Sequence, residues 1–344
     1  MEEKFSEFYE YYNDKLKDIY SKFNKIKKKV EAKYLIAMII FIVLFLMASY
    51  QLDLLIDNSF IFVILGVTVI AICVIVAIYI RLRKEMYNLN KYIIEDIIKF
   101  ISQDESSIFE PNKRISIENI KDMELFNLEN LQYNGKNAIG TDYNSNYMNF
   151  ADMEIYYYKD VLREETYYDS KGNPYTKKVI DKVKKTIFSG CYISATLNKR
   201  IAEHIYLIPN NFSDVIINGA IKDYITYSGE EIELENLEFS KKYKVYSDDE
   251  IQARYILSLA LMEKINNIDE IFEGKKYIVF KEGRRFVICL EGFKIENLRK
   301  TLLPFNSKSS KVKENLKYIF RNLYKFFEIY DVLDLGNDLY VDKN

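Results

Sequence analysis

Residues 243 to 257 read YKVYSDDEIQARYIL, placing Asp248, Asp249, Glu250 and Arg254 within seven positions. Carboxylates beside a guanidinium are the residue types that move protons, so this is the first place to look for acid–base chemistry. The spacing argues otherwise. Asp248 and Asp249 are sequence neighbours, and neighbouring side chains on a helix point apart rather than toward one substrate. Ser247 and Glu250 form S-x-x-E, the reciprocal capping box. Ile251, Tyr255, Leu259, Met262 and Ile265 follow at helical spacing as an apolar stripe. The pattern predicts a helix capped by Ser247 and Glu250, with acidic side chains offsetting the positive helix start and Arg254 pairing with Glu250 one turn on.

The remaining reactive side chains are few. His204 is the single histidine, and Cys73, Cys191 and Cys289 are isolated. A Ser–His–Asp or Cys–His mechanism would need His204, yet no G-x-S-x-G elbow accompanies it. One histidine without paired cysteines makes a poor metal site, and no D-x-D-x-D-G loop occurs. GxxxxGK[ST] and GxGxxG are missing as well. No catalytic, cofactor or metal site is therefore expected. Net charge is −2, with 35 basic against 39 acidic residues after position 103. A nucleic-acid partner is not expected, because phosphate binding needs a basic surplus. One stretch is basic: SKSSKVKENLKYIFRNLYKFF sets Lys308, Lys311, Lys313, Lys317, Arg321 and Lys325 around the apolar face Val312, Leu316, Phe320, Leu323 and Phe327. Such a helix either rests on anionic lipid headgroups or a protein partner, or covers the domain core with its charged face in solvent.

Two apolar runs decide where these groups are held. Tyr34 to Tyr50 and Phe60 to Ile80 contain no charged residue and, as helices, span about 25 and 31 Å, near a bilayer's hydrocarbon thickness. Lysines crowd residues 22–33, and Arg81, Arg83 and Lys84 follow the second run. The connection between them carries Asp53 and Asp57 with no cation. Cationic flanks stay cytoplasmic, which predicts spans at 34–52 and 60–80, an external loop at 53–59 and both termini inside. The polar start predicts no signal peptide, and neither end carries a lipidation motif. Residues 1–33 predict a helix with a heptad seam (Phe5, Tyr9, Tyr12, Leu16, Ile19, Phe23, Ile26, Val30), and 81–103 a helix continuing the second span with Met86, Leu89, Ile93, Ile97 and Phe100 on one face. The seam would pack inside a hairpin or join two copies as a homodimer.

From residue 104 to 344 short apolar runs alternate with turn residues, which predicts one cytoplasmic α+β domain on an antiparallel sheet, curled or partly closed into a barrel, with a few packed helices. A long hairpin turns at DSKGNP, with strands at HIYLIP, EIELENLEF, KKYKVY, KKYIVFKE and RRFVICLE, and a tight turn at Glu282-Gly283. The stretch LENLEFSKKYKVYSDDEIQARYILSLALMEKI, in particular Glu238-Phe239, Tyr243, Val245, Tyr246-Ser247, Asp249, Ala253-Arg254 and Ile256-Leu257, resembles a bacterial membrane family catalogued as domain of unknown function 3137. GTDYNSNYMNF around Gly140 and TIFSGCYI around Gly190 are similar to that family's glycine-bearing strands. The resemblance runs over most of residues 30 to 300. It implies a paired hydrophobic hairpin and one cytoplasmic domain in the bacterial inner membrane, and it assigns no activity or site residues. The expected function is a membrane-anchored cytoplasmic module that binds a protein partner or anionic lipid headgroups. The alternatives are an enzyme using carboxylates and tyrosines on a membrane-proximal substrate, and a structural protein self-associating through the heptad helix.

Overall fold

A computed structural model describes residues 1–52, 58–210, 229–301 and 309–333, with some side chains inside the elements also left undescribed. The chain divides into two compact units, Met1–Ile93 and Ile94–Asn344.

The first unit holds α1 (Glu2–Leu52) and the start of α2 (Asn58–Ser102). At about 1.5 Å per residue α1 is roughly 77 Å long. Within the apolar runs Ile36, Ile40, Ile72 and Ile80 are all more than half exposed. Among the described residues no helix is long and apolar enough to cross a membrane. Residues 53–57 of the expected external loop, and all side chains from 44 to 65, lie outside the described residues. On the N-terminal seam Phe5 and Tyr12 are buried as the heptad requires, but so is Phe8, which the heptad omits. Phe8 and Tyr12 stack at 5.0 Å, one helical turn apart, so the buried face follows the ordinary 3.6 period and is wider than a coiled-coil seam. The seam side chains Leu16, Phe23 and Val30 lie outside the described residues.

The second unit is mixed α+β. Its sheet has nine strands among the described residues: β1 (Ile108–Glu110), β2 (Gln132–Tyr143), β3 (Asn146–Tyr168), β4 (Pro174–Ile201), β5 (Ile205–Pro209), β6 (Glu230–Ile232), β7 (Tyr243–Ser247), β8 (Lys276–Lys281) and β9 (Gly283–Glu291). The order is β1-β2-β3-β4-β9-β8-β5-β7-β6 and every pairing is antiparallel. Among the described residues the sheet is open, with β1 and β6 at its ends, so no barrel closes there. The predicted hairpin is present in full: β3 and β4 pair from Met148↔Ala195 out to Tyr168↔Pro174. Asp169 closes the turn by accepting from the amides of Lys171 and Asn173. The β8–β9 turn sits at Glu282–Gly283, where Gly283 takes φ +92°, a conformation that favours glycine.

Two strand predictions need correction. EIELENLEF is a strand only at β6; Leu237–Lys242 form α4, because the Asn236 side chain accepts from the amides of Glu238 and Phe239 and starts a helix there. The first two lysines of KKYKVY, Lys241 and Lys242, belong to that helix. Strand β1 and the short helix α3 (Ile117–Lys121) are not among the predicted elements, and of β2 only the end around Gly140 is, by resemblance.

One face of the sheet is covered by α3 and the segment after it, through Ile120, Met123 and Phe126 against Phe188 and Tyr277. Helix α5 (Glu250–Ile256) follows β7, and on the other face lie α6 (Leu259–Ile271), α7 (Ile295–Thr301) and α8 (Ser309–Leu333). There Phe150 of β3 meets Phe326 and Phe327 of α8 at 5.0 and 5.7 Å. Cys191 and Cys289 sit in the sheet with no exposure, and burial pushes both thiols well up, so neither is a nucleophile at neutral pH.

Asp104 ties the entry of the domain to β2. Burial acts to raise its pKa, but the amides of Asp142 and Ser106 and the hydroxyls of Ser106 and Ser107 outweigh it and hold the carboxyl down at about 2. A folded pKa below the unfolded value means this stabilisation is complete above about pH 4 and is lost as pH falls toward 2. Asp104→Asn should unfold more readily than wild type at neutral pH, with the difference in urea midpoint shrinking as pH drops toward 2. A constant difference would show that the carboxylate charge is not what matters.

Candidate functional site

A cavity with convergent charge lies at one end of the sheet, where β5, α4, β7, α6 and β8 meet. It has a volume of about 710 Å³ and is lined by Lys241, Lys242, Lys275 and Lys276 against two acids, Asp269 and Glu273, with Tyr243 and Phe272 as apolar wall. Asp269, near the end of α6, accepts from Lys242 Nζ and Lys276 Nζ, both at 2.6 Å. Lys276 is 3% exposed and also donates to the Gly274 carbonyl at 3.0 Å. Burial acts to raise the Asp269 pKa, but the two ammonium groups overcome it and hold the carboxyl below the ordinary aspartate range. A carboxylate clamped this way is a poor general base. The arrangement neutralises one acid with two cations and leaves a positive surplus around an open cavity, which suits an anion.

The predicted cap lies at Ser247, at the other end of β7 from Tyr243 in the cavity wall, and differs from its expected form. Helix α5 begins at Glu250, and the residue at its N-cap is Asp249, whose carboxylate accepts from Gln252 N at 2.9 Å. Ser247 instead ends β7. Its hydroxyl donates to the His204 carbonyl at 2.7 Å and accepts from Asp249 N at 3.3 Å. The ladder to β5 claims Ser247 as a strand residue, paired with Ile205, so the helix can start only two residues later. Glu250 bonds Arg254 as expected, at 2.8 Å, and Arg254 also donates to the Glu233 carbonyl. The predicted stripe breaks: Met262 and Ile265 are buried, whereas Ile251, Tyr255 and Leu259 are exposed. Leu257 leaves helical geometry and Ser258 caps a new helix by accepting from Leu261 N, which resets the phase between α5 and α6.

Both helices, and the whole cavity wall, fall inside one matched segment. Residues 186–335 match the family described as protein of unknown function DUF3137. This is the family that the sequence resembles, over a stretch that begins later and ends further on than the resemblance read from its motifs. No curated protein matches the chain. The crystal structure of the mycobacterial trehalose monomycolate transport factor A, TtfA, is similar at a TM-score of 0.30 and 8% identity, covering 69% of this chain and 95% of that one. A likeness that weak carries no argument.

The DUF3137 segment also contains the basic helix. In α8 the apolar residues Leu316, Phe320, Leu323 and Phe327 are buried against the domain, while Lys313, Lys317 and Arg321 are exposed. Lys325 stands 5.3 Å above the ring of Phe272, so this helix reaches the cavity wall. Lys308 and the Lys311 side chain lie outside the described residues. His204, also in the segment, stacks on Tyr206 at 5.7 Å and 9° and is not among the residues lining the cavity. Among the described residues no group of acids, histidine and cysteines is arranged to hold a metal ion. Sequence reasoning passed over Asp269, Lys242 and Lys276; the one available signal was a lysine pair at each of two strand starts, Lys241-Lys242 and Lys275-Lys276.

Proposed function

We propose that this protein is a membrane-anchored module of the bacterial inner membrane whose cytoplasmic domain binds anionic headgroups at the inner leaflet. One observation carries the reading: four lysines face two acids around a single open cavity of about 710 Å³ in a domain whose overall balance is acidic. The exposed outer face of α8, with Lys313, Lys317 and Arg321, adds a second basic surface that reaches the cavity through Lys325. Each lysine or arginine near an anionic leaflet contributes about 1 kcal/mol.

The anchor is the pair of helices at 34–52 and 60–80, with both termini and the domain inside. Uncharged composition, cationic flanks and the outward exposure of Ile36, Ile40, Ile72 and Ile80 support it, since aliphatic side chains exposed along a helix this long call for an apolar surrounding. Protease added to right-side-out vesicles should leave residues 104–344 uncut.

The binding test uses full-length protein in a zwitterionic detergent, titrated with short-chain phosphatidylglycerol and, in parallel, short-chain phosphatidylcholine. Phosphatidylglycerol should bind more tightly. The variant Lys241→Gln/Lys275→Gln should lose about 2 kcal/mol, close to thirtyfold in affinity. Equal affinity for both lipids, or a variant that binds like wild type, would remove the cavity from the account.

A further inference from the structure

Beyond Tyr156, β3 loses its partner β2, and before Gly190, β4 has no partner in β9. From Tyr157↔Lys185 to Tyr168↔Pro174 the two strands therefore run on as a ribbon with both edges unpaired among the described residues. Twelve residues at about 3.4 Å each carry it roughly 40 Å past the sheet. A two-stranded ribbon alone is only marginally stable in water, and this one exposes apolar side chains instead of hiding them. Leu162 and Ile180 are directly opposite one another on one face and are 68% and 62% exposed; Tyr168 at the tip is 70% exposed. Residues 156–186 also carry eight basic and five acidic side chains, against the trend of the chain.

At the β6 end of the sheet the same domain presents the opposite charge. Residues 229–259 hold eight acidic and four basic side chains, and within them Leu237, Ile251 and Leu259 are 75%, 83% and 62% exposed. These two surfaces are complementary in sign, and each offers exposed aliphatic groups. They lie on different parts of the sheet, separated in strand order by β9, β8 and β5.

We propose that residues 157–185 form a docking arm for a second copy of this chain, which receives it on the acidic, apolar surface of residues 229–259. The contact is heterologous, so each copy retains one arm or one receiving surface for the next, and copies on a membrane add head to tail. Lysines of the arm meet the glutamates around β6 and α4. Leu162 and Ile180 pack against Ile251 and Leu259. Association of this kind weakens with salt, because its charges lie on exposed surfaces.

The test is sedimentation of the full-length chain in zwitterionic detergent. Wild type should self-associate. An arm variant, Leu162→Asp/Ile180→Asp, and a receiving variant, Ile251→Asp/Leu259→Asp, should each raise the dissociation constant at least about tenfold with unchanged far-UV circular dichroism. All four side chains are exposed, so folding should be untouched. Mixing the two variants should restore pairs that stop at two copies, because only one competent contact remains. A charge-reversed arm, Lys178→Glu/Lys182→Glu, should lose association and regain it with Glu230→Lys/Glu235→Lys. Self-association that survives both variants, or mixed variants that fail to pair, would overturn the proposal. So would an arm variant that associates normally but no longer binds phosphatidylglycerol vesicles, which would assign the arm to lipid.

Discussion

Gly190→Ala is expected to destabilise the domain by at least about 3 kcal/mol, and larger side chains at this position should prevent folding. Gly190 is buried in the centre of the sheet, where β4 pairs with β9 at Gly190↔Glu291 and Cys191↔Leu290. A Cβ added there would collide with the Leu290 carbonyl oxygen and lie 2.8 Å from the Leu290 carbonyl carbon and 2.9 Å from the Phe188 ring. A ring can tilt, but the Leu290 carbonyl is backbone held in the β4–β9 ladder. Relief therefore requires the two strands to separate, which costs their hydrogen bonds as well as their packing. Gly140 makes a control. A Cβ there meets only the end of the Tyr147 side chain at 2.7 Å, which can swing away, so Gly140→Ala should cost about 1 kcal/mol or less. Urea unfolding of the full-length chain followed by tyrosine fluorescence compares the two. Similar midpoints would mean that β4 and β9 yield more easily than their contact implies.

Asp152→Ala should cost about 3 kcal/mol. Asp152 is 3% exposed on β3 and serves as the cap of α7, although 143 residues separate it from that helix. Its carboxylate accepts from Ile295 N at 2.6 Å, from Glu296 N at 2.9 Å and from Asn137 Nδ2 at 2.6 Å. Burial pushes its pKa up, so ionisation at neutral pH is a cost that those three donors offset. Alanine leaves two helix-start amides and a fully buried Asn137 amide without their acceptor, each loss worth about 1 kcal/mol or more. Asp152→Asn retains one acceptor oxygen and should fall between alanine and wild type. Hydrogen exchange at Ile295 and Glu296 provides the local reading: both amides should lose protection in the alanine variant before the sheet does. An alanine variant with wild-type protection at these amides would mean that α7 is held by packing alone.

Neither position could be assigned its role from local pattern. Gly190 was legible only as a glycine in a strand similar to the family's, and the atom approaching it comes from a strand a hundred residues later. Asp152 reads as one more charged residue in ADMEIYYYKD. The capping error has the same origin. S-x-x-E was present at Ser247–Glu250, yet the ladder with β5 held Ser247 in a strand, and Asp249 took the cap. Ser258 then restarted the helix, exposing Ile251, Tyr255 and Leu259, which periodicity alone had placed in the core.

Period-two alternation around DSKGNP was enough for the long hairpin, and apolar spacing was enough for α8, because each depends on groups a few residues apart. The antiparallel α+β class followed from the same local signals. The open strand order, the Asp152 cap and the lysine cavity were decided by the fold. Pro209, Lys242, Asp269 and Lys276 come together only after five elements have packed, and burial then sets which charges must pair. Contact across that distance is a property of register and topology, for which a linear pattern holds no term.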